Sequence, residues 1–297
     1  MKHFPTLSSR RALLPPLAAL SFLAAGPAHA VLLIADFNDI SAGTPVNKAG
    51  GTGFSGNWSG SASSNIIAGD LTSTLYNVPQ TGTAQALRNG NNGGVRQNFR
   101  TVANSPTGEI WFSFLTRTMT SADETDTESA GISLNPANTG TPFNDRGDYY
   151  IQMTGGTLVY SFGAGTAGSQ VISSTPGVAS DKISLIVGRL TINAGGAADA
   201  VSLWVDPDLI ANSDISAYTP AYSSTTINMA DTITRLGAIS YQNADPGLTG
   251  GTLDNIRFSD GAGDAAQAFY DVTGVPEPSG LALALLGAGG FLARRRR

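Results

Sequence analysis

The sequence predicts an all-β protein built as a two-sheet antiparallel sandwich of the jelly-roll kind. Three observations carry this. Eleven strand-like runs recur between residues 31 and 274, separated by clusters of Gly, Asn, Ser and Pro. No helical pattern alternates with them, which excludes a βαβ architecture. The 297 residues include 36 Gly and 15 Pro, with 41% hydrophobic and only 13% charged residues. That is too apolar for a disordered chain and too sparsely charged for a coiled coil.

In chain order the runs are 31–37, 65–71, 94–100, 109–118, 130–134, 148–154, 157–162, 182–193, 199–206, 233–242 and 252–258. Residues 109–115 (Glu-Ile-Trp-Phe-Ser-Phe-Leu) are too apolar to have a wet face, so they read as a central strand between packed layers. Residues 182–187 read the same way. Val201, Leu203 and Val205 alternate with Ser202, Trp204 and Asp206, the period of a strand with one polar side. The only helical pattern is a weak one near 264–269. Residues 50–53, 89–94 and 195–196 supply the glycines of connections. The run 89–94 is a hairpin turn rather than a phosphate cradle, since no helix start and no Lys-Ser/Thr pair follow it. No internal repeat of fixed period is present.

The two ends are of a different kind. Residues 1–30 have the pattern of a signal peptide. Lys2, Arg10 and Arg11 form a basic start, 13–25 is an apolar run interrupted by Pro15 and Pro16, and Ala28-His29-Ala30 is an A-x-A cleavage site. Arg10-Arg11 also fits a twin-arginine signal, which leaves the export route open. At the other end, Val275-Pro276-Glu277-Pro278 precedes an apolar run at 281–293, and the chain closes on Arg294 to Arg297. A bilayer span takes about 20 residues. The run is therefore a short membrane stop, and its terminal arginines stay cytoplasmic. The expected division is a leader at 1–30, one body at 31–274 and a sorting segment at 275–297.

The C-terminal segment resembles the PEP-CTERM sorting signal of Gram-negative bacteria, matching its Pro-Glu-Pro motif, short transmembrane helix and arginine-rich end in order. The resemblance implies a transient inner-membrane anchor, processing by an exosortase after export and signal-peptidase cleavage, delivery to the cell surface or beyond, and an association with exopolysaccharide. Four segments of the body carry a second resemblance. They are Asp36-Phe37 with 50–60, 111–115, 201–209 and 251–258. Together they resemble a jelly-roll group similar to concanavalin A-like (laminin G-like) lectins and glucanases. That implies two antiparallel sheets with a concave face where relatives bind sugars.

Charge and residue types limit the chemistry. Of 17 basic residues, three lie in the leader and four in the tip; of 22 acidic residues, only Glu277 lies outside the body. The body therefore carries ten basic against 21 acidic residues, a net −11, which disfavours nucleic acid and anionic membrane as partners. His3 and His29 both fall in the leader and there is no Cys. This excludes His-based triads, Cys nucleophiles and ordinary Zn or Cu sites from the body.

Three candidate groups remain. Glu124, Asp126 and Glu128 have the E-x-D-x-E spacing of retaining β-glucanases, which would place the acids on one face of a strand. Their neighbours Thr125 and Thr127 are polar where such enzymes are apolar, so the run reads as a solvated loop and catalysis is not expected. Asp36 and Asp254 meet if the first and last strands pair, and could then hold a structural Ca²⁺; no other cofactor is indicated. Trp58, in a Gly/Ser-rich stretch, is the most exposed candidate for stacking on a sugar ring, although a packing role is the favoured reading. Trp111 reads as core, and Trp204 points to a face the sequence does not identify. Arg88, Arg96, Asn98 and Tyr149 could add hydrogen bonds, but nothing selects them. The expected function is a non-enzymatic exported surface or matrix protein. A carbohydrate-binding module is the alternative, and a glycoside hydrolase using Glu124 and Glu128 a more remote one.

Overall fold

The computed structural model describes residues 32–78, 84–89, 94–118, 128–135, 149–155, 157–162, 171–172, 182–193, 195, 198–242 and 251–276. Fifteen strands are described: β1 (Leu32–Ala35), β2 (Phe54–Gly60), β3 (Ser64–Ala68), β4 (Gln85–Asn89), β5 (Gly94–Val102), β6 (Gly108–Arg117), β7 (Ser129–Leu134), β8 (Tyr149–Thr154), β9 (Thr157–Phe162), β10 (Val171–Ile172), β11 (Ile183–Ile192), β12 (Asp199–Val205), β13 (Tyr222–Ile227), β14 (Arg235–Gln242) and β15 (Thr252–Ser259). One α-helix, α1 (Ala265–Thr273), follows them. All eleven predicted runs are strands, and the weak helical pattern is α1.

The strands form two antiparallel sheets, the predicted jelly-roll sandwich. One sheet has eight strands in the order β13-β12-β11-β6-β15-β4-β3, with β1 added against β15. The other has seven in the order β10-β9-β8-β7-β14-β5-β2. Between them lies a core that includes Leu33, Ile110, Phe112, Phe114, Ile132, Ile151, Ile186, Leu203, Leu236 and Phe258. Phe112 stacks on Phe258 at 5.1 Å, and its ring covers Gly188 on β11, where a Cβ would fall 1.9 Å from Phe112 Cζ.

The two strands predicted to be dry on both sides are so because the eight-stranded sheet has a second apolar layer. Trp111 and Leu115 of β6, Leu185 and Val187 of β11, and Trp204 of β12 point away from the main core. Over them lie Ala268, Phe269 and Val272 of α1, with Leu71, Tyr76, Leu209 and Ile215. The helix starts on Asp264, whose side chain accepts from the N–H of Ala266 and Gln267, and stops on Gly274 in the left-handed conformation. Ser113 of β6 donates to the Val272 carbonyl and Ser259 of β15 to Asp271, which holds α1 against the sheet. No described helix is long and apolar enough to cross a membrane; residues 281–293 lie outside the described ones.

Four strands were not predicted, and three of them are edge or polar elements. β2 is Phe-Ser-Gly-Asn-Trp-Ser-Gly, β13 is Tyr-Ser-Ser-Thr-Thr-Ile and β10 has two residues. An edge strand buries little, so its sequence carries little alternation. The glycines of 50–60 serve close strand approach rather than a loop. Gly53 has φ +80° and a Cβ there would sit 2.3 Å from the Leu32 carbonyl oxygen; Gly60, at φ +116°, would meet the Gln97 carbonyl oxygen at 2.2 Å.

Candidate functional site

Pairing of the first and last strands brings the predicted aspartates together. β1 lies antiparallel to β15 from Leu32↔Ser259 to Ala35↔Ile256. Asp36 follows β1 directly, and Asp254 sits on β15 just before a bulge at which Asn255 takes φ 50°. Both aspartates are buried. Asp254 accepts from the N–H of Leu71 at 3.0 Å and of Asn255 at 2.6 Å. Beside it, Arg257 Nε donates to Asn255 Oδ1, and Asn255 Nδ2 donates to the Tyr76 hydroxyl.

This cluster is electrostatically loaded. Burial pushes the Asp254 carboxyl up to about 8; its two backbone donors oppose the shift, and Asp70 and Asp36 add to it. Asp70, which sequence reasoning did not single out, is also raised, by burial first and then by Asp36. Burial raises the Tyr76 hydroxyl, with Asp254 reinforcing it. Such coupled, perturbed carboxylates mark a site candidate. Among the described residues, however, no group of three or more His, Cys, Asp or Glu is placed to hold a metal ion. Asp36 lies within electrostatic range of Asp254 and adds to the rise of its carboxyl.

All three tryptophans are buried, Trp111 as expected. Trp58 is not an exposed loop residue: it lies on β2 at 1% exposure, with Phe37 at 5.7 Å and Phe54 at 6.1 Å. Trp204 is buried in the second layer, stacked on Trp111 at 5.9 Å, and donates to the Tyr218 carbonyl. Neither offers a ring face to a sugar, because the layers that sequence alone does not show close over both. Glu124 and Asp126 lie outside the described residues. Glu128 is buried at the start of β7, which corrects its reading as part of a solvated loop. Val275 packs in the second apolar layer and Pro276 is exposed, while Glu277 and Pro278 lie outside the described residues.

The outer face of the seven-stranded sheet carries a polar array that sequence reasoning missed. One cross-strand row runs Gln97–Ile239–Gly131–Gln152–Val159, and the next includes Phe99, Gly237, Ser133 and Tyr150. Their strand neighbours Leu236, Ala238, Ile132 and Ile151 point into the main core. Gln97 Nε2 donates to Ser133 Oγ, Gln152 Nε2 donates to Thr154 Oγ1 at 3.1 Å, and Ser129 and Thr154 share a hydrogen bond of 2.9 Å. Gln152 is 2% exposed and its Oε1 accepts no hydrogen bond. The Arg235 guanidinium lies 5.7 Å from the Phe99 ring centre. The signal was in the alternation of Ser129, Gly131 and Ser133 with Ala130, Ile132 and Leu134, and of Tyr150, Gln152 and Thr154 with Tyr149, Ile151 and Met153. The two sheets thus differ outside as well as in: one outer face is apolar and capped by α1, and the other mixes Gln97, Ser133 and Gln152 with a small buried apolar cluster of Tyr150, Val159 and Ile239.

No family model and no curated protein matches the chain. Among solved structures it is similar to the globular domain of T. cruzi calreticulin, with 11% identity, a TM-score of 0.42, and 89% of this chain and 98% of that one covered. It is similar to a carbohydrate esterase from a Shiga toxin-encoding bacteriophage, with 11% identity, a TM-score of 0.41, and coverage of 74% and 99%. The carbohydrate recognition domain of Emp47p gives 9% identity, a TM-score of 0.41, and coverage of 76% and 96%.

Proposed function

We propose that the body is a carbohydrate-binding domain of an exported cell-surface or matrix protein, and that the outer face of the seven-stranded sheet receives the sugar. The observation that carries this reading is the cross-strand group of amides and hydroxyls of Gln97, Ser133, Tyr150 and Gln152, which are buried, so a sugar reaches them only where the cover over this face opens. Side-chain amides and hydroxyls beside an aromatic ring are the groups that read a polyhydroxylated ligand. Among the described residues, nothing donates to the buried Oε1 of Gln152. Export through the leader, exosortase sorting through 275–297 and association with exopolysaccharide complete the reading, on the strength of the terminal sequence patterns. Ca²⁺ at Asp36 and Asp254 is not needed for it. The test is a glycan array and titration calorimetry on the full chain. Binding of a surface polysaccharide fragment, weakened about tenfold or more in Gln152→Ala and Gln97→Ala with unchanged circular dichroism, is expected from the loss of a buried hydrogen bond. Absence of any glycan ligand, or equal affinity in both variants, overturns the reading.

A further inference from the structure

The folded body and the sorting segment share a residue. Val275 opens the Val-Pro-Glu-Pro motif, and it is also the last core residue of the fold. It is 6% exposed and belongs to the apolar layer of Tyr76, Phe269 and Val272, whereas Pro276 beside it is exposed.

Hydrogen bonds and a close backbone approach fix the end of α1 here. Thr273 is fully buried; its Oγ1 donates to the Phe269 carbonyl at 2.8 Å and accepts from the Val275 N–H at 3.2 Å. The Gly274 N–H donates to the Tyr270 carbonyl at 2.7 Å, which closes the helix. Residues 71–78 cross this end as a strap. The Asn77 N–H donates to the Thr273 carbonyl at 2.9 Å, and a Cβ at Gly274 would lie 2.1 Å from the Asn77 carbonyl oxygen. The strap is itself tied to the body, at Asp254 through the Leu71 N–H, at Asn255 through the Tyr76 hydroxyl, and at Leu209 through the Leu75 carbonyl. Beyond Val275 only residues 276–280 precede the apolar run at 281–293, at most about 20 Å of extended chain. The motif therefore starts on the body with no spacer between them.

We propose that the docked end of α1 is a latch on processing: the folded body sequesters Val275, and the exosortase receives the whole motif only when residues 273–275 lift from the strap and the apolar layer. The proposal rests on the sorting reading of 275–297. A protease acts on backbone that is free of burial and hydrogen bonds, and elsewhere it waits for local opening. Processing then tracks the fraction of molecules in which this end is open, so its rate is set by contacts inside the body as well as by the motif. A folded body stays anchored longer than one whose α1 is undocked.

The test follows the precursor of the full chain by pulse-chase in a host that has an exosortase, beside an exported reporter fused to residues 275–297. A Gly/Ser spacer of about ten residues inserted after Gly274 keeps the motif and frees it from the body. It should speed processing about tenfold or more. Asp264→Ala removes the N-terminal cap of α1 and leaves the motif untouched; it should speed processing about fivefold. Amide exchange on the purified full chain reads the latch without the protease. The Gly274 and Val275 N–H groups should be protected, and about fivefold less so in Asp264→Ala. The proposal is overturned if these amides exchange as fast as those of an unfolded chain. It is overturned too if the reporter is processed while both variants keep the wild-type rate, a result that leaves the sorting reading standing. A reporter that stays unprocessed overturns the sorting reading, and this proposal with it.

Discussion

Asp254→Asn should remove most of the pH dependence of this domain's stability. Asp254 is fully buried on β15, and its pKa rises from 3.8 to about 8, chiefly through burial. A carboxyl raised in the native state stabilises the fold in its protonated form. That contribution is complete below the unfolded value of 3.8 and is lost as pH rises through about 8. Each pH unit inside that window is worth up to about 1.4 kcal/mol. From about pH 5 to about pH 7 the loss is then about 3 kcal/mol, or about 6–12 °C in Tm for a domain of this size. An Asn at 254 does not titrate, so its curve should fall less steeply over the same range, the raised Asp70 carboxyl keeping part of the slope. At low pH the variant should be weaker by about 1–3 kcal/mol, because an amide can accept from only one of the Leu71 and Asn255 N–H groups through oxygen. The assay is urea unfolding followed by tryptophan fluorescence at a series of pH values in EDTA. Parallel curves for wild type and variant would refute the reasoning. So would a wild-type stability that climbs with pH only when Ca²⁺ replaces EDTA, since a cation held by Asp36, Asp70 and Asp254 must displace the proton and reverse the slope.

Three further outcomes test the fold and the destination. Gly188→Ala puts a Cβ 1.9 Å from Phe112 Cζ and should cost about 1–3 kcal/mol in urea unfolding by overpacking; unchanged stability would show that the ring gives way freely. Trp111→Ala removes the residue on which Trp204 and Phe269 pack and should cost about 3–5 kcal/mol. A loss below about 1 kcal/mol would mean that the second apolar layer contributes little. Residues 275–297 fused to an exported reporter should redirect it in a host that has an exosortase and leave it unmoved in a host without one.

Local alternation and its absence are written along the chain, and they were enough to place eleven strands and the helix. A strand's two faces are set by the pleat, so Trp111 and Leu115 had to oppose Ile110, Phe112 and Phe114 whatever the rest of the chain did. The absence of a polar partner face on β6 and β11 showed that both of their sides must be covered. Even the meeting of Asp36 with Asp254 followed from one topological expectation, that terminal strands pair.

What covers each face is not a local property. α1 comes after the last strand and folds back over β6 and β15, so Trp204 and Trp111 become interior only when residues far apart in sequence are packed. β2 looks like a loop because its glycines answer to backbone atoms of β1 and β5, not to their own neighbours. That is why Trp58, the most exposed tryptophan candidate in the sequence, is buried. The carboxylate cluster depends likewise on Asp70, whose proximity to Asp254 no periodicity encodes. Sequence by itself determined the class of fold, the alternating faces and the lack of His and Cys chemistry in the body, because these are properties of each residue and its near neighbours. The tertiary structure alone decided which faces are dry, which charges are buried and which polar groups are left without partners, because desolvation depends on everything that packs around a group.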